Sequence, residues 1–262
     1  FFEGRFPAIH FGCMPPEKVN LLEEAVEVAK NADAVILVVG TNSDWETEGN
    51  DRADLSLPAN QDQLIENILK ENENTVVVLN SGSPVSMPWL NESKAVLQSW
   101  FGGQEYGNSL ADLVFGRVNP SGKLPTTFPV KIEDTPAFDY YPGKNSQMDY
   151  EEKLLVGHRW YEKKNIKPLF PFGFGLSYTN FSFSNLELKK KDDFNIDCKF
   201  KLKNLGKMDG SEVAQCYVSF SDAAKDEPLK SLQSFKKVFI KKDSEVEVLS
   251  LIHISEPTRR TD

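Results

Sequence analysis

Ala34-Val-Ile-Leu-Val-Val-Gly40 is an uninterrupted apolar run rich in β-branched residues and closed by a glycine. It lacks the alternation of a strand with one wet face, so it predicts a strand buried on both faces of a parallel sheet. Upstream, after Pro15-Pro16, the residues Val19, Leu22, Val26 and Ala29 recur at helical spacing with Glu23, Glu24 and Glu27 on other faces. That pattern predicts an amphipathic helix opening at a proline. The order repeats downstream. Leu64, Ile65, Ile68 and Leu69 form the apolar stripe of a second helix beginning near Pro58, and Thr75-Val-Val-Val-Leu79 follows as a second buried strand. Ala95 to Trp100 reads as a third strand, and Tyr106, Leu110, Leu113 and Val114 mark a third helix that stops at Gly116. Helices alternating with buried strands specify an open α/β sheet covered on both sides.

From Asn119 the texture changes. Pro120, Pro125, Pro129, Pro136, Pro142 and Pro171 break the chain repeatedly, which predicts a long irregular connector. After Ser177 the period becomes two. Phe181 and Phe183 are followed by Leu186 and Leu188, then by Phe194, Ile196, Cys198, Phe200 and Leu202. Later, Val213, Gln215 and Tyr217 face one way and Ala214, Cys216 and Val218 the other, with turn signals at Asn204-Leu-Gly206 and Asp209-Gly210. This is the pattern of an all-β sandwich seen in part. The expected fold is therefore an open α/β sandwich domain followed by an incomplete all-β sandwich.

A net charge of −9 and a pI near 5.0 argue against a nucleic-acid-binding surface and against attraction to anionic membranes. No apolar run approaches the roughly 20 residues that span a bilayer. Phe1-Phe2-Glu3-Gly4-Arg5 lacks the basic-then-apolar order of a signal peptide, and the chain reads as starting mid-protein, so the compartment is not readable. The cysteines, Cys13, Cys198 and Cys216, and the histidines, His10, His158 and His253, are too scattered for a zinc cluster or a disulfide framework. No metal and no cofactor is expected, and Cys198 and Cys216 read as small core residues.

In open α/β sheets ligands gather beyond the carboxyl ends of the strands. The loop that leaves Gly40 contains Trp45-Glu-Thr-Glu-Gly-Asn-Asp-Arg52. Gly40-Thr-Asn-Ser has one glycine and continues into acids, whereas a phosphate cradle needs a glycine-rich turn opening a helix, so nucleotide binding is disfavoured. A general acid at neutral pH needs apolar neighbours or a like charge, and Trp45 and Glu46 could supply both to Glu48. Arg52 could hold Asp51 and fix the loop. On spacing alone the better reading of these residues is an acidic surface turn with a local Asp51–Arg52 contact.

A resemblance covers most of the chain. V-I-L-V-V-G-T-N-S-D-W-E-T-E-G-N-D-R, from Val35 to Arg52, followed by A-D-L-S-L-P-A-N-Q-D-Q-L-I, resembles the second domain of the family 3 glycoside hydrolases, particularly their β-glucosidases. The likeness continues through N-S-G-S-P-V (Asn80 to Val85), W-F-G-G-Q-E-Y-G-N-S-L-A-D-L-V-F-G (Trp100 to Gly116) and N-P-S-G-K-L-P-T-T-F-P (Asn119 to Pro129). It resumes at G-H-R-W-Y-E (Gly157 to Glu162) and P-F-G-F-G-L-S-Y-T-N-F (Pro171 to Phe181). G-S-E-V-A-Q-C-Y-V and K-S-L-Q-S-F-K-K-V are similar to the fibronectin type III-like third domain of the same enzymes.

The resemblance implies a retaining glycosidase with two carboxylates. The family nucleophile is an aspartate on a preceding barrel. The acid/base glutamate lies in a Glu-Gly-x-Asp-Arg motif, whose position is occupied here by Glu48, with Glu46 as runner-up. Asp51, Arg52 and Trp45 would bind substrate or position the loop. The expected substrate is a β-glucoside or oligosaccharide and the expected partner is the barrel. Without that barrel the chain alone should not turn over, and its oligomeric state is not readable. The expected divisions are 1–16, the end of a preceding segment; 17–130, the α/β sandwich; 131–178, the connector; 179–248, the partial fibronectin type III-like domain; and 249–262, a non-native tail that abandons the family pattern. A non-catalytic carbohydrate-binding or scaffolding fragment, and a β-xylosidase or arabinosidase of the same family, are the alternatives. Trp100-Phe101 could stack on a sugar but reads better as a core pair, Trp89 and Trp160 likewise, and His158-Arg159 reads as fixing the connector.

Overall fold

The computed structural model of the chain describes residues 20–49, 51–145, 147–192, 195–219 and 227–253. The expectations for segment 1–16, for Val19, for Phe194 and for the tail beyond His253 lie outside these residues. The chain divides into two units, the first running to Gly40 with Pro58–Leu79 and Met87–Gln98, the second comprising Thr41–Leu57, Asn80–Ser86 and the chain from Ser99.

In the first unit α1 (Leu21–Lys30) leads to β1 (Val35–Gly40), α2 (Gln61–Glu71) to β2 (Thr75–Asn80), and β3 (Ala95–Gln98) completes a sheet of order β1-β2-β3. β2 and β3 run parallel, with Val76 opposite Ala95 and Leu79 opposite Gln98. β1 joins in the same direction, since the amides of Val35 and Thr41 donate to the carbonyls of Asn74 and Asn80, each at 3.0 Å. The helix expected to open at a proline opens instead at Asn20, whose side chain accepts from the Leu22 amide at 3.2 Å while its carbonyl takes the Glu24 amide at 3.0 Å. An asparagine satisfies the free amides of a first turn, which a proline cannot do. Glu23 and Glu24 at this end and Lys30 at the other complement the helix dipole. The Asn72 side chain donates to the carbonyls of Ala29 (2.9 Å) and Ala32 (2.8 Å), joining the ends of the two helices.

Burial on both faces holds for β2, where Val77, Val78 and Leu79 are fully buried. It does not hold for β1, where Ile36 and Val38 remain 48% and 52% exposed. β1 is one of the two flanking strands among the described residues, and Ile36 and Val38 share one of its faces; a continuous apolar run does not say which face of a strand is covered. The third strand ends at Gln98, two residues early, because Trp100 takes a left-handed φ of 57° that no strand continues. Trp89 is core as expected, with its indole N–H donating to Asp62 at 2.8 Å.

The second unit contains α3 (Tyr106–Val114), which stops before Gly116 at φ 66° as anticipated, and a connector largely without regular structure. Within the connector Gly157-His-Arg-Trp-Tyr-Glu forms α4 (His158–Lys164), closed by Asn165 in the left-handed region. The surrounding prolines and glycines hid this helix from periodicity.

The β-sandwich follows as β4 (Phe181–Lys190), β5 (Asn195–Asn204), β6 (Gly210–Ser219), β7 (Lys230–Ile240) and β8 (Glu245–His253), in sheets β4-β5-β8 and β6-β7. Cys198, Phe200, Leu202, Ala214, Ile240 and Val248 form its core, with Cys216 and Val218 packed against them, so the predicted alternation faces the predicted way. Both cysteines are free. The jump in parity from Phe181 and Phe183 to Leu186 and Leu188 has a cause: a bulge between Ser184 and Glu187, with Asn185 at φ 54°, sets Leu188 on the face of Phe181 and Phe183. β8 pairs with β5 through residues 249 and 250, with Leu249 opposite Lys199 and Ser250 opposite Cys198. Ladder hydrogen bonds come from the backbone, so a change in sequence character need not end a strand.

Candidate active site

The departure of the chain from β1 is fixed by a side chain. Gln61 Oε1 accepts from the Gly40 amide at 2.8 Å and its Nε2 donates to the Gly40 carbonyl at 2.9 Å. The loop that follows, Thr41–Leu57, runs beside the loop that follows β2, and hydrogen bonds tie the two at successive points. The Thr41 amide donates to Asn80 O (3.0 Å), the Gly82 amide to Glu46 Oε1 (3.3 Å), Arg52 Nη1 to Ser83 Oγ (2.8 Å) and Pro84 O (3.2 Å), and the Ser86 amide to Leu55 O (2.7 Å). Asn42 adds a local turn, accepting the Glu46 amide at its carbonyl (2.8 Å) and the Asp44 amide at its side chain (3.0 Å). Repeated cross-loop bonds hold the intervening acids in place without a helix or strand beneath them.

Within this frame the two glutamates differ. Glu46 is 15% exposed, and its Oε1 accepts from Thr41 Oγ1 at 2.7 Å and from the Gly82 amide, with Arg52 Nη1 at 3.9 Å. Glu48 is exposed, beside Gly49 at φ 76°, and among the described residues no hydrogen bond or ion pair holds it. The Glu46 carboxylate is turned to Thr41, Gly82 and Arg52 through its Oε1. Trp45 is half-buried and its indole Nε1 is buried without a partner.

The expected Asp51–Arg52 contact is also corrected. Arg52, 13% exposed, spreads its guanidinium over Ser83, Pro84 and the Ser56 carbonyl (3.4 Å), a set of oxygens that a planar five-donor fork fits better than one carboxylate. Burial pulls its pKa below the ordinary arginine range, opposed by Glu46 and Asp54. Asp51 instead accepts from Tyr141 OH at 2.5 Å, a bond that holds the phenol above its ordinary range.

The expectation of a Trp100-Phe101 core pair is half right. Trp100 is half-buried and meets Phe128 edge to face at 6.1 Å, while Phe101 is 54% exposed. The reversed backbone at Trp100 turns Phe101 outward, and its ring lies over Gly82: a Cβ there would meet Phe101 Cε2 at 2.8 Å and would collide with Glu46 Oε2. Sequence reading assigned no role to Thr41, Gly82, Ser83 or Tyr141. The block N-S-G-S-P-V was a signal for Gly82 and Ser83; nothing marked Tyr141, which lies 90 residues from its partner.

A cleft of about 630 Å³ is formed elsewhere in the second unit by His158, Tyr161, Glu162, Phe172, Tyr217 and Lys230 among others. There His158 stacks on Phe172 at 4.9 Å and Lys230 pairs with Glu162 at 3.0 Å; next to it in α4 the Trp160 indole donates to Asp134 O at 3.1 Å within the connector. Lys230 and Glu162 pair with each other there, while Lys167 also lines the cleft and His158 Nε2 and Glu162 Oε2 are buried without a hydrogen-bond partner among the described residues. The loop from Thr41 to Leu57 is the better candidate, since it offers a carboxylate free to reach a ligand at the carboxyl end of a parallel strand.

Comparison with known proteins bears on this loop. Residues 16–178 match the glycosyl hydrolase family 3 C-terminal domain. The chain is 45% identical over 224 residues to thermostable beta-glucosidase B of Acetivibrio thermocellus, covering 84% of this chain and 30% of that protein, and 44% identical over 240 residues to a probable beta-glucosidase I of Emericella nidulans, covering 87% and 29%. Among solved structures it resembles the GH3 beta-glucosidase of Bifidobacterium adolescentis, with a TM-score of 0.86 at 39% identity over 91% of this chain and 36% of that one. A beta-glucosidase of Kluyveromyces marxianus in complex with glucose gives 0.83 at 40% identity over 88% and 28%. The chain thus spans about 30% of the length of the curated relatives it matches.

Proposed function

The chain belongs to glycosyl hydrolase family 3 through its C-terminal domain, and from that membership we propose that it is the C-terminal part of a retaining β-glucosidase acting on terminal, non-reducing β-D-glucosyl residues. The proposed divisions are 17–130 for the α/β sandwich, 131–178 for the connector and 179–248 for the fibronectin type III-like region. In this reading Glu48 is the acid/base residue. It protonates the departing glycosidic oxygen while an aspartate on a preceding barrel attacks the anomeric carbon, and its carboxylate then takes a proton from the water that releases glucose. A two-carboxylate mechanism of this kind calls for no metal or cofactor.

One observation carries the assignment. Of the two glutamates in W-E-T-E-G-N-D-R, Glu46 is largely buried with its Oε1 held by Thr41, Gly82 and Arg52, whereas Glu48 is exposed at the turn those contacts hold. Arg52 supports it by tying the loop to Ser83 and Pro84, and Asp51 by meeting Tyr141.

The test uses a full-length family 3 β-glucosidase carrying residues 16–178 of this chain. Glu48→Gln is expected to lower kcat/KM on alkyl glucosides by about 10² to 10⁴-fold, the range for loss of a general acid. Dinitrophenyl glucoside, whose leaving group needs no proton, should retain its glycosylation step, and azide should restore turnover. Full activity of Glu48→Gln on alkyl glucosides would exclude the assignment.

A further inference from the structure

We infer that Glu46 is a positioning residue for this chemistry, and that Gly82 is a glycine because a side chain there would displace it. The inference rests on Glu48 as the acid/base residue and adds the element that holds it in place.

The Glu46 carboxylate joins two loops. Oε1 takes the Thr41 hydroxyl at 2.7 Å from its own loop and the Gly82 amide at 3.3 Å from the neighbouring one, and the Arg52 guanidinium stands 3.9 Å away. Arg52 is itself bonded to Ser83 and Pro84, so acid and base close a ring through residues 41, 46, 52 and 82–84. Glu48 lies within that ring's span of sequence, two residues from one fixed point and four from the other. A largely buried carboxylate bound this way sets the backbone on the N-terminal side of the turn, where Gly49 supplies the positive φ.

Gly82, by the space around it, shows the same contact from the neighbouring loop. Its φ is not positive, so no turn demands glycine there; the demand is steric. An added Cβ would overlap Glu46 Oε2 and press on the Phe101 ring. Because Phe101 is an exposed ring able to swing aside, the carboxylate is the constraint that matters.

The experiment uses the same full-length enzyme and reads kcat/KM on alkyl and dinitrophenyl glucosides. Glu46→Ala is expected to lower the alkyl value about 30-fold without abolishing it, because the Glu48 carboxyl is still present to donate. Glu46→Gln, whose amide oxygen accepts the same two bonds, should stay within about 3-fold of the parent, a rescue that a true acid/base residue does not permit. Thr41→Val, which removes one donor, should fall between these values. Gly82→Ala should match Glu46→Ala and add little to it in the double variant, and Glu46→Ala should add little on a Glu48→Gln background. Wild-type rates for Glu46→Ala in a variant whose melting temperature is unchanged would overturn the inference alone. So would full additivity of Glu46→Ala with Glu48→Gln. If Glu46→Gln loses alkyl glucosides and its turnover of dinitrophenyl glucoside is restored by azide, Glu46 is the acid/base residue, and both this inference and the assignment of Glu48 fall. The behaviour of Glu48→Gln by itself separates the two failures.

Discussion

At the scale of single residues, what an ionisable group does here depends on how it is enclosed. Arg52 and Glu46 are nearly equally covered, yet Arg52 delivers hydrogen bonds to oxygens on both sides of the loop and Glu46 collects them. Replacing Arg52 by Met should leave Ser83 Oγ and the Pro84 and Ser56 carbonyls without these donors. A loss of about 2 kcal/mol is expected, as for hydrogen bonds to a charged group, measured by urea unfolding of the isolated chain. Arg52→Lys should recover only part, having no fork. An unchanged midpoint for Arg52→Met would remove the loop clamp from this account. His158 makes a prediction of opposite kind. Burial, with help from Arg159 and Lys230 and against the pull of Glu162, lowers its pKa from the ordinary 6.5. The unfolded chain therefore takes up a proton first as pH falls, so the contribution of neutral His158 is present above about 6.5 and is lost as pH drops through the lower folded value. Melting temperatures from about pH 7.5 to 5 should fall more steeply for the parent than for His158→Gln. Parallel curves would contradict this. Neither behaviour could be taken from sequence, where Arg52 pointed to its neighbour Asp51 and His158-Arg159 pointed only to fixing the connector.

At the scale of elements, the sandwich depends on one buried amide. Asn204, the last residue of β5, is fully buried; its Oδ1 accepts from Thr179 Oγ1 (2.6 Å) and the Gly206 amide (3.1 Å), and its Nδ2 donates to Met208 O (2.8 Å) and Ile240 O (3.2 Å). It pins the start of β4, the β5–β6 turn and the end of β7 together. Asn204→Ala should cost about 3 kcal/mol in chemical unfolding, since several buried partners lose their bonds at once. A cost under about 1 kcal/mol would show that the turn holds without it. The sequence signalled a turn at Asn204-Leu-Gly206 and the alternation of β5 and β6, because period two is a local property. It also carried the shift in phase within β4, whose meaning came from the bulge at Asn185. It could not carry the exposure of Ile36 and Val38, which depends on what lies beside β1 rather than on what β1 contains.

At the scale of the whole molecule, a retaining mechanism needs two carboxylates about 5 to 5.5 Å apart across the sugar, and the residues proposed here supply one. The isolated chain, assayed with nitrophenyl glucoside, should show no turnover above buffer, while a full-length enzyme carrying residues 16–178 should hydrolyse it. Turnover by the isolated chain that survives Glu48→Gln would point to a different reaction centre.

The sequence by itself determined the order of helices and strands, the change from α/β to sandwich texture, and the family blocks that single out W-E-T-E-G-N-D-R. Periodicity and motif are written in neighbouring residues and need no third dimension. Only the tertiary structure decided which acid of that stretch is held and which is free. That distinction rests on Gly82, Ser83 and Pro84 in one loop and Tyr141 in the connector, groups that contact residues 41–52 only once the chain has folded. The properties of a carboxylate follow from the donors around it, and those donors are distant in sequence.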